Sequence, residues 1–261
     1  MMETMYTHDK NIKFLILALD NQTVLKIKHL DLKYVVLVNN SVFFKTYPFL
    51  KSQKKLRKFN EFCYLLTPFL IEFCLINLNK KKIFYVDSDL YFFNNCIKIT
   101  KKLDKYSIIC SVHNFDEKNK FQEKINGKFN VGFVGFKKNY LSLKCLDTWK
   151  KQCFFSTTLN ESFSSIIRGD QLYLNHWPLK YKKHFSPINN KYFNIGAWNI
   201  KNLNFEKKKK YLFANGKKVL MIHVNFIEFD NKNNILIINK FNLKLLNKII
   251  CNHYLKTSNK I

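Results

Sequence analysis

Two carboxylates one residue apart, Asp87 and Asp89, follow directly on an apolar, β-rich run, Ile83-Phe-Tyr-Val86. In extended chain, side chains two residues apart point the same way, so both acids can face one cation. Hard divalent ions such as Mg²⁺ and Mn²⁺ take oxygen ligands and can hold a diphosphate. In α/β sheets, ligands bind beyond the carboxyl ends of strands, where this pair falls. The bland alternative is a surface turn with an incidental Asp-X-Asp. The buried-type strand before it and the aromatic run Tyr91-Phe-Phe93 after it argue against that.

The elements that must position this pair alternate. Ile12–Leu19 and Tyr34–Val38 read as strands flanking a short helix at Thr23–His29. Asn39–Asn60 is polar and lysine-rich, a loop or irregular helix. A helix is predicted from Thr67 to Leu78, with Thr67 as N-cap and Pro68 at the first helical position. Ser107–His113 and Phe129–Phe136 read as strands, the second interrupted by Gly132 and Gly135. Tyr140–Cys153 and Gly169–Trp177 read as helices, Val219–Val224 and Ile235–Ile238 as strands, and Leu243–Leu255 as a terminal amphipathic helix that packs on the domain or lies on a membrane. Strands alternating with helices imply an α/β fold with a largely parallel sheet. Phe62–Ile76, the longest apolar stretch, is interrupted by Thr67, Pro68 and Glu72 and reads as too short for a membrane span.

Tyr85-Val-Asp87-Ser-Asp89-Leu-Tyr-Phe-Phe93 resembles the YLDADLYFF-type signature of a group of GT-A-fold glycosyltransferases. Further blocks agree in order. Leu66-Thr67-Pro68-Phe69 is similar to their TPS segment, and Phe129-Asn130-Val-Gly132-Phe-Val-Gly135-Phe136 to YNVGFVGF. Gly169-Asp170-Gln171-Leu-Tyr-Leu174 with Trp177-Pro178 is similar to GDQKYLDDWP, Asn194-Ile-Gly-Ala-Trp198-Asn199 to NLAPWN, and Met221-Ile-His223-Val to YHFH. The resemblance runs from about Phe14 to Phe226. It implies a Rossmann-like α/β/α sandwich of GT-A type and transfer of a sugar from a nucleotide-sugar donor, UDP-linked by default, to an acceptor. The GT-A pattern opens with a strand and helix ahead of Phe14; only Met1–Lys10 precede it here, so that first strand is expected to be missing, with Thr7-His8-Asp9 the remnant of the helix end.

The resemblance also implies roles. Asp87, Asp89 and His223 hold Mn²⁺ or Mg²⁺, with the second nitrogen of His223 meeting an orienting acceptor. Ser88, Asn130, Gly132 and Thr67 belong with the donor. Asp170 and Gln171 are the catalytic candidates, Asp170 as catalytic or sugar-binding carboxylate and Gln171 as a partner of sugar hydroxyls. Plainer readings stand beside these: Asp170 as a carboxylate favoured by a helix N-terminus, Asn130 as a turn residue, Thr67 as a cap, and Trp198 and Asn199 as packing rather than acceptor contacts. The chain is read as one domain over residues 1–261: a nucleotide half at 11–115, a sugar and acceptor half at 116–226, and a C-terminal strand and helix at 227–261.

The formal net charge of +27 invites a nucleic-acid reading. Yet the arginines are Arg57 and Arg168 and the rest of the positive charge is lysine, whereas base and phosphate readers rely on bidentate arginine. Nucleic acid is therefore excluded as partner. The expected partners are a nucleotide sugar and a glycan or lipid-linked acceptor of cell-surface polysaccharide synthesis. The basic runs Lys51–Lys58 and Lys207–Lys210 are solvated faces or contacts to an anionic membrane surface. The seven cysteines are odd in number without a CxxC pair and read as free thiols. With no apolar leader visible in Met1–Lys10, the expected location is cytoplasmic, peripheral at the inner membrane face. Two alternatives remain open. One is a degenerate, inactive GT-A scaffold. The other is an HAD-type phosphotransferase, which the position of Asp87 behind two strands and Tyr91 two residues after Asp89 disfavour.

Overall fold

The computed structural model describes residues 1–156, 170–209, 211–224, 227–229 and 235–237, with 245–246, 248–250 and 252. Helix α1 (Met2–His8) precedes strand β1 (Phe14–Ile16), helix α2 (Asn21–His29) and strand β2 (Val35–Leu37). Asp20 starts α2 by accepting the amide of Thr23 at 2.7 Å. The polar stretch that follows forms α3 (Asn40–Thr46) and α4 (Leu50–Leu56).

Helix α5 (Phe59–Ile76) begins before the predicted Thr67 start, and Thr67 and Pro68 lie inside it. Glu61 accepts the amide of Lys58 and marks the true N-terminus. An interior proline costs about 3 kcal/mol. Phe62, Leu65, Leu66, Phe69, Phe73 and their neighbours are buried along this helix, each contributing roughly 1.5–3 kcal/mol, so burial outweighs the break. By length and composition α5 is apolar enough to cross a membrane, contrary to the sequence expectation, but its buried face belongs to the core cluster that also holds Val134, Phe136 and Trp149.

Next come β3 (Lys82–Val86), β4 (Leu90–Phe92), the short α6 (Ile97–Thr100) and α7 (Lys102–Lys105), β5 (Ile108–Val112), α8 (Gln122–Asn126), β6 (Phe129–Lys137) and α9 (Tyr140–Ser156). Then follow α10 (Trp177–Tyr181), β7 (Phe185–Ile188), β8 (Asn194–Ile195), β9 (Phe205–Lys208), β10 (Tyr211–Ala214), β11 (Lys217–Lys218), β12 (Met221–His223), β13 (Ile227–Phe229) and β14 (Ile235–Ile237). The predicted helix around Gly169–Trp177 is a 3₁₀ turn at Leu172–His176. The terminal amphipathic helix lies largely outside the described residues; Leu246 and Ile250 are buried in an apolar cluster with Ile195, Ile200 and Ile222, which packs that segment on the domain.

The fold is mixed α/β, as expected, but the central sheet is not largely parallel. Its order is β3-β6-β5-β7, with β6 antiparallel to both neighbours and only β5 and β7 parallel. The segment from β5 to β6 carries no helix long enough to cross the sheet, so β6 returns alongside β5. β6 runs as one strand through both glycines, but its pairing with β5 shifts register around Gly132, between the Cys110–Val134 and Ser111–Asn130 pairs. A second sheet, β4-β12-β8, sets His223 opposite Leu90, one residue from Asp89.

β1 and β2 form a separate parallel pair. Between β1 and β3 lies a largely apolar cavity of about 570 Å³. Consecutive residues of both strands, Phe14–Leu17 and Lys82–Val86, line it. Alternate residues would mean an exposed face; consecutive ones mean that the unpaired edges of β1 and β3 border this space.

Candidate active site

Strand β3 ends at Val86 because Asp87 turns away, its amide still donating to Gly132 O at 3.1 Å. Asp87 and Asp89 therefore sit at the carboxyl end of a sheet strand, and β12 brings His223 to them. His223 Nε2 lies 3.0 Å from Asp89 Oδ1 and 3.7 Å from Asp87 Oδ2. One ligand atom from each of the three falls within 4.8 Å of the others.

Gly132 is required here. A Cβ at this position would stand 2.6 Å from Asn130 Oδ1, 2.9 Å from His223 Cε1 and 3.0 Å from Asp87 Oδ2. Any side chain would fill the cradle between the carboxylates and the imidazole. Two carboxylates and an imidazole with this room around them fit Mn²⁺ or Mg²⁺.

The electrostatics are those of a half-buried charged cluster. Burial raises the Asp87 acid, against the pull of His223. Asp89 is held low: burial pushes it up, but the hydrogen bond and charge of His223 outweigh that. Burial pushes His223 down, and the two aspartates more than reverse it. The second ring nitrogen does not find the expected acceptor: His223 Nδ1 is buried with no hydrogen-bond partner among the described residues. Trp198 packs edge-on against the ring at 5.4 Å and supplies no lone pair there.

Thr67 stands behind the cluster. The Tyr85 hydroxyl lies near Asp87 and Thr67, and burial followed by the charge of Asp87 raises it; Thr67 Oγ1 donates to Cys63 O at 3.1 Å. Ser88 is exposed and borders the cavity between β1 and β3.

Asp170 caps no helix, since the following 3₁₀ turn has Gln171 at its N-cap. Its side chain is buried, and burial followed by the charge of Asp87 pushes its acid up to about 8. Trp149 Nε1 fixes its backbone by donating to Asp170 O at 2.9 Å. Gln171 Oε1 faces Asn130 Nδ2 at 3.5 Å. Asn130 Oδ1 accepts from Asn194 Nδ2 at 2.8 Å, and Asn130 Nδ2 lies 3.2 Å from His113 Nε2. Asp87, Asp89, His223, Asn130, Gly132, Asp170 and Gln171 thus gather in one region.

Trp198 and Asn199 are both packed into the fold. Trp198 lies against His113, His223 and Gly196. Asn199 Nδ2 donates to His113 O at 2.9 Å and Asn114 O at 3.2 Å, and its Oδ1 accepts from Gly196 N at 3.0 Å. The sequence marks His113 only as the end of a strand and Asn194 only as the first residue of a sequence block, neither with a role of its own. His113 follows β5 as Asp87 follows β3, so the rule that sites form at carboxyl ends of strands would have found it. For Asn194 the NLAPWN-like block marks the segment but not its bond to Asn130.

No protein-family model matches the chain. Two Bacillus subtilis (strain 168) proteins are similar to it. The uncharacterized protein YfnD is 22% identical over 224 residues, 85% of this chain and 71% of that protein. The uncharacterized protein YfnF is 24% identical over 229 residues, 82% of this chain and 72% of that protein. Among solved structures, apo mouse xyloside xylosyltransferase 1 matches with a TM-score of 0.45 and 14% identity, over 82% of this chain and 83% of that one. A glycosyltransferase involved in glycosylation of the major capsid of PBCV-1 matches with a TM-score of 0.46 and 10% identity, over 82% and 92%. Likenesses this distant carry no argument, so the functional reading rests on the site.

Proposed function

We propose that this chain is a GT-A-type glycosyltransferase that moves a sugar from a nucleotide-sugar donor, UDP-linked by default, to a glycan or lipid-linked acceptor in cell-surface polysaccharide synthesis. The observation that carries it is the convergence of Asp87, Asp89 and His223 around the side-chain-free face of Gly132, beside amide side chains suited to sugar hydroxyls. Asp87, Asp89 and His223 would hold Mn²⁺ or Mg²⁺, which when bound offsets charge on a departing nucleoside diphosphate. Burial and the charge of Asp87 raise the Asp170 acid to about 8, and in its protonated form it can donate a hydrogen bond to a substrate oxygen. The exposed lysines of α4 (Lys51, Lys54, Lys55) suit a cytoplasmic protein at an anionic membrane surface.

The test is calorimetric titration of UDP with Mn²⁺ and with EDTA, on the wild type and Asp87→Asn. Binding that requires Mn²⁺ and weakens at least about 100-fold in Asp87→Asn supports the reading. Silence with both UDP and GDP sinks it and favours a non-catalytic scaffold. The break between β1 and β3 beside Ser88 is the feature that favours that second reading.

A further inference from the structure

Asn130 faces the cradle with one end of its carboxamide. That end decides which ligand group is read, because the oxygen accepts and the nitrogen donates. The neighbours fix the polarity from both sides. The carbonyl of Gly127 can only accept and lies 3.0 Å from His113 Nδ1, so Nδ1 carries the proton. In a neutral imidazole the other nitrogen then offers only a lone pair, and Asn130 Nδ2, 3.2 Å from Nε2, must donate to it. On the far side, Ser111 Oγ donates to Asn130 O at 2.9 Å. Its oxygen is left to accept from Asn194 Nδ2 at 3.3 Å. The same Asn194 nitrogen donates to Asn130 Oδ1 at 2.8 Å. A backbone carbonyl anchors each end of the relay, and neither can be reversed.

The ring of His113 is held as firmly as its protons. It stacks on Phe115 at 4.6 Å and meets Trp198 edge-on at 4.9 Å. Its own carbonyl accepts from Asn199 Nδ2, and it is buried.

We propose that His113 is a positioning residue: it holds the Asn130 side chain with the oxygen turned into the cradle beside Asp87, so the ligand group read there is a hydrogen-bond donor. On the transferase reading, on which this part rests, that donor is a hydroxyl of the transferred sugar. Gln171 adds the complementary selection: its oxygen faces Asn130 Nδ2, so among the described residues its amide nitrogen can donate to a ligand oxygen. Asn130 Oδ1 already accepts from Asn194 Nδ2, so its second lone pair is what meets a ligand donor, and this polarity acts as a specificity filter.

Two measurements test it. Long-range ¹H–¹⁵N spectra of the ¹⁵N-histidine protein at pH 7, with His113→Gln assigning the signal, should show His113 neutral with the proton on Nδ1. A proton on Nε2, or an imidazolium, overturns the proposal whatever the activity. The second measurement is Mn²⁺-dependent hydrolysis of UDP-glucose, UDP-galactose and UDP-xylose. His113→Phe should lower the rate about 10- to 100-fold with UDP affinity changed by less than about threefold, and His113→Gln, whose oxygen can accept from Asn130, should recover most of it. Wild-type hydrolysis by a folded His113→Phe protein overturns the positioning role. A wild type that neither binds UDP nor hydrolyses any of the three sugars refutes the transferase reading instead, while the tautomer still decides the role of His113.

Discussion

Replacing Asp170 with Asn should stabilise the protein at neutral pH while removing its activity. The Asp170 acid sits at about 8 in the fold, against an ordinary value of 3.8. Its raised value means the folded state holds the proton more tightly. Below pH 3.8 the carboxyl is protonated in both states and costs nothing. As the pH rises from there through 8, the unfolded chain gains by ionising and the fold does not, so stability falls. Each unit is about 1.36 kcal/mol. Between pH 5 and pH 7.5 the wild type should lose about 3 kcal/mol through this group, and Asp170→Asn, which cannot ionise, should lose none of it. At roughly 2–4 °C per kcal/mol for a chain of this size, the variant's melting advantage should grow by about 6–12 °C between those pH values. Thermal unfolding followed by circular dichroism, in EDTA at both pH values, measures it. Asp87 is the second cause of the shift, so in an Asp87→Asn background the growth should shrink. A melting difference that does not change with pH would refute the reasoning and make Asp170 an ordinary ionised carboxylate.

Gly132→Ala should fold but lower Mn²⁺ affinity by at least about tenfold in calorimetry, because its Cβ meets Asn130, His223 and Asp87 at 3.0 Å or less; repacking should cost about 1–3 kcal/mol. His113, lowered to about 4 chiefly by burial, with His223 and Glu123 the charged groups facing it, should make the fold acid-labile: its stability is present above pH 6.5 and about 3 kcal/mol is lost as the pH falls through 4, a loss that denaturant melts of His113→Gln should lack. Asn199→Ala should cost about 2–4 kcal/mol in urea unfolding, since it strips partners from His113 O, Asn114 O and Gly196 N. Trp149→Phe should cost about 1–3 kcal/mol in the same assay by orphaning Asp170 O, and should also lower turnover through the misplaced Asp170.

The chemistry-bearing residues were legible because their type and spacing survive in one dimension. Asp-X-Asp after an apolar strand announces two oxygens on one side, and nothing outside the segment is needed to see it. His223 was legible only through the order of sequence blocks, since an isolated histidine is as good a core residue. Thr67-Pro68 misled because a helix start and a buried helix interior can share the same dipeptide, and only the summed burial of α5 chooses between them. The parallel sheet misled for a related reason: strand–helix alternation fixes neighbours less firmly than the length of each connection does.

The sequence by itself determined the class of fold and the position of the carboxylate pair, both of which follow from local periodicity and residue type. Tertiary structure alone decided the rest. It set His223 opposite Leu90, lifted the acid of Asp170 by burying it beside Asp87, and fixed the polarity of Asn130 through His113 and Asn194. Those properties depend on distances between atoms far apart in the chain and on the exclusion of water around them, and neither quantity exists until the strands have paired.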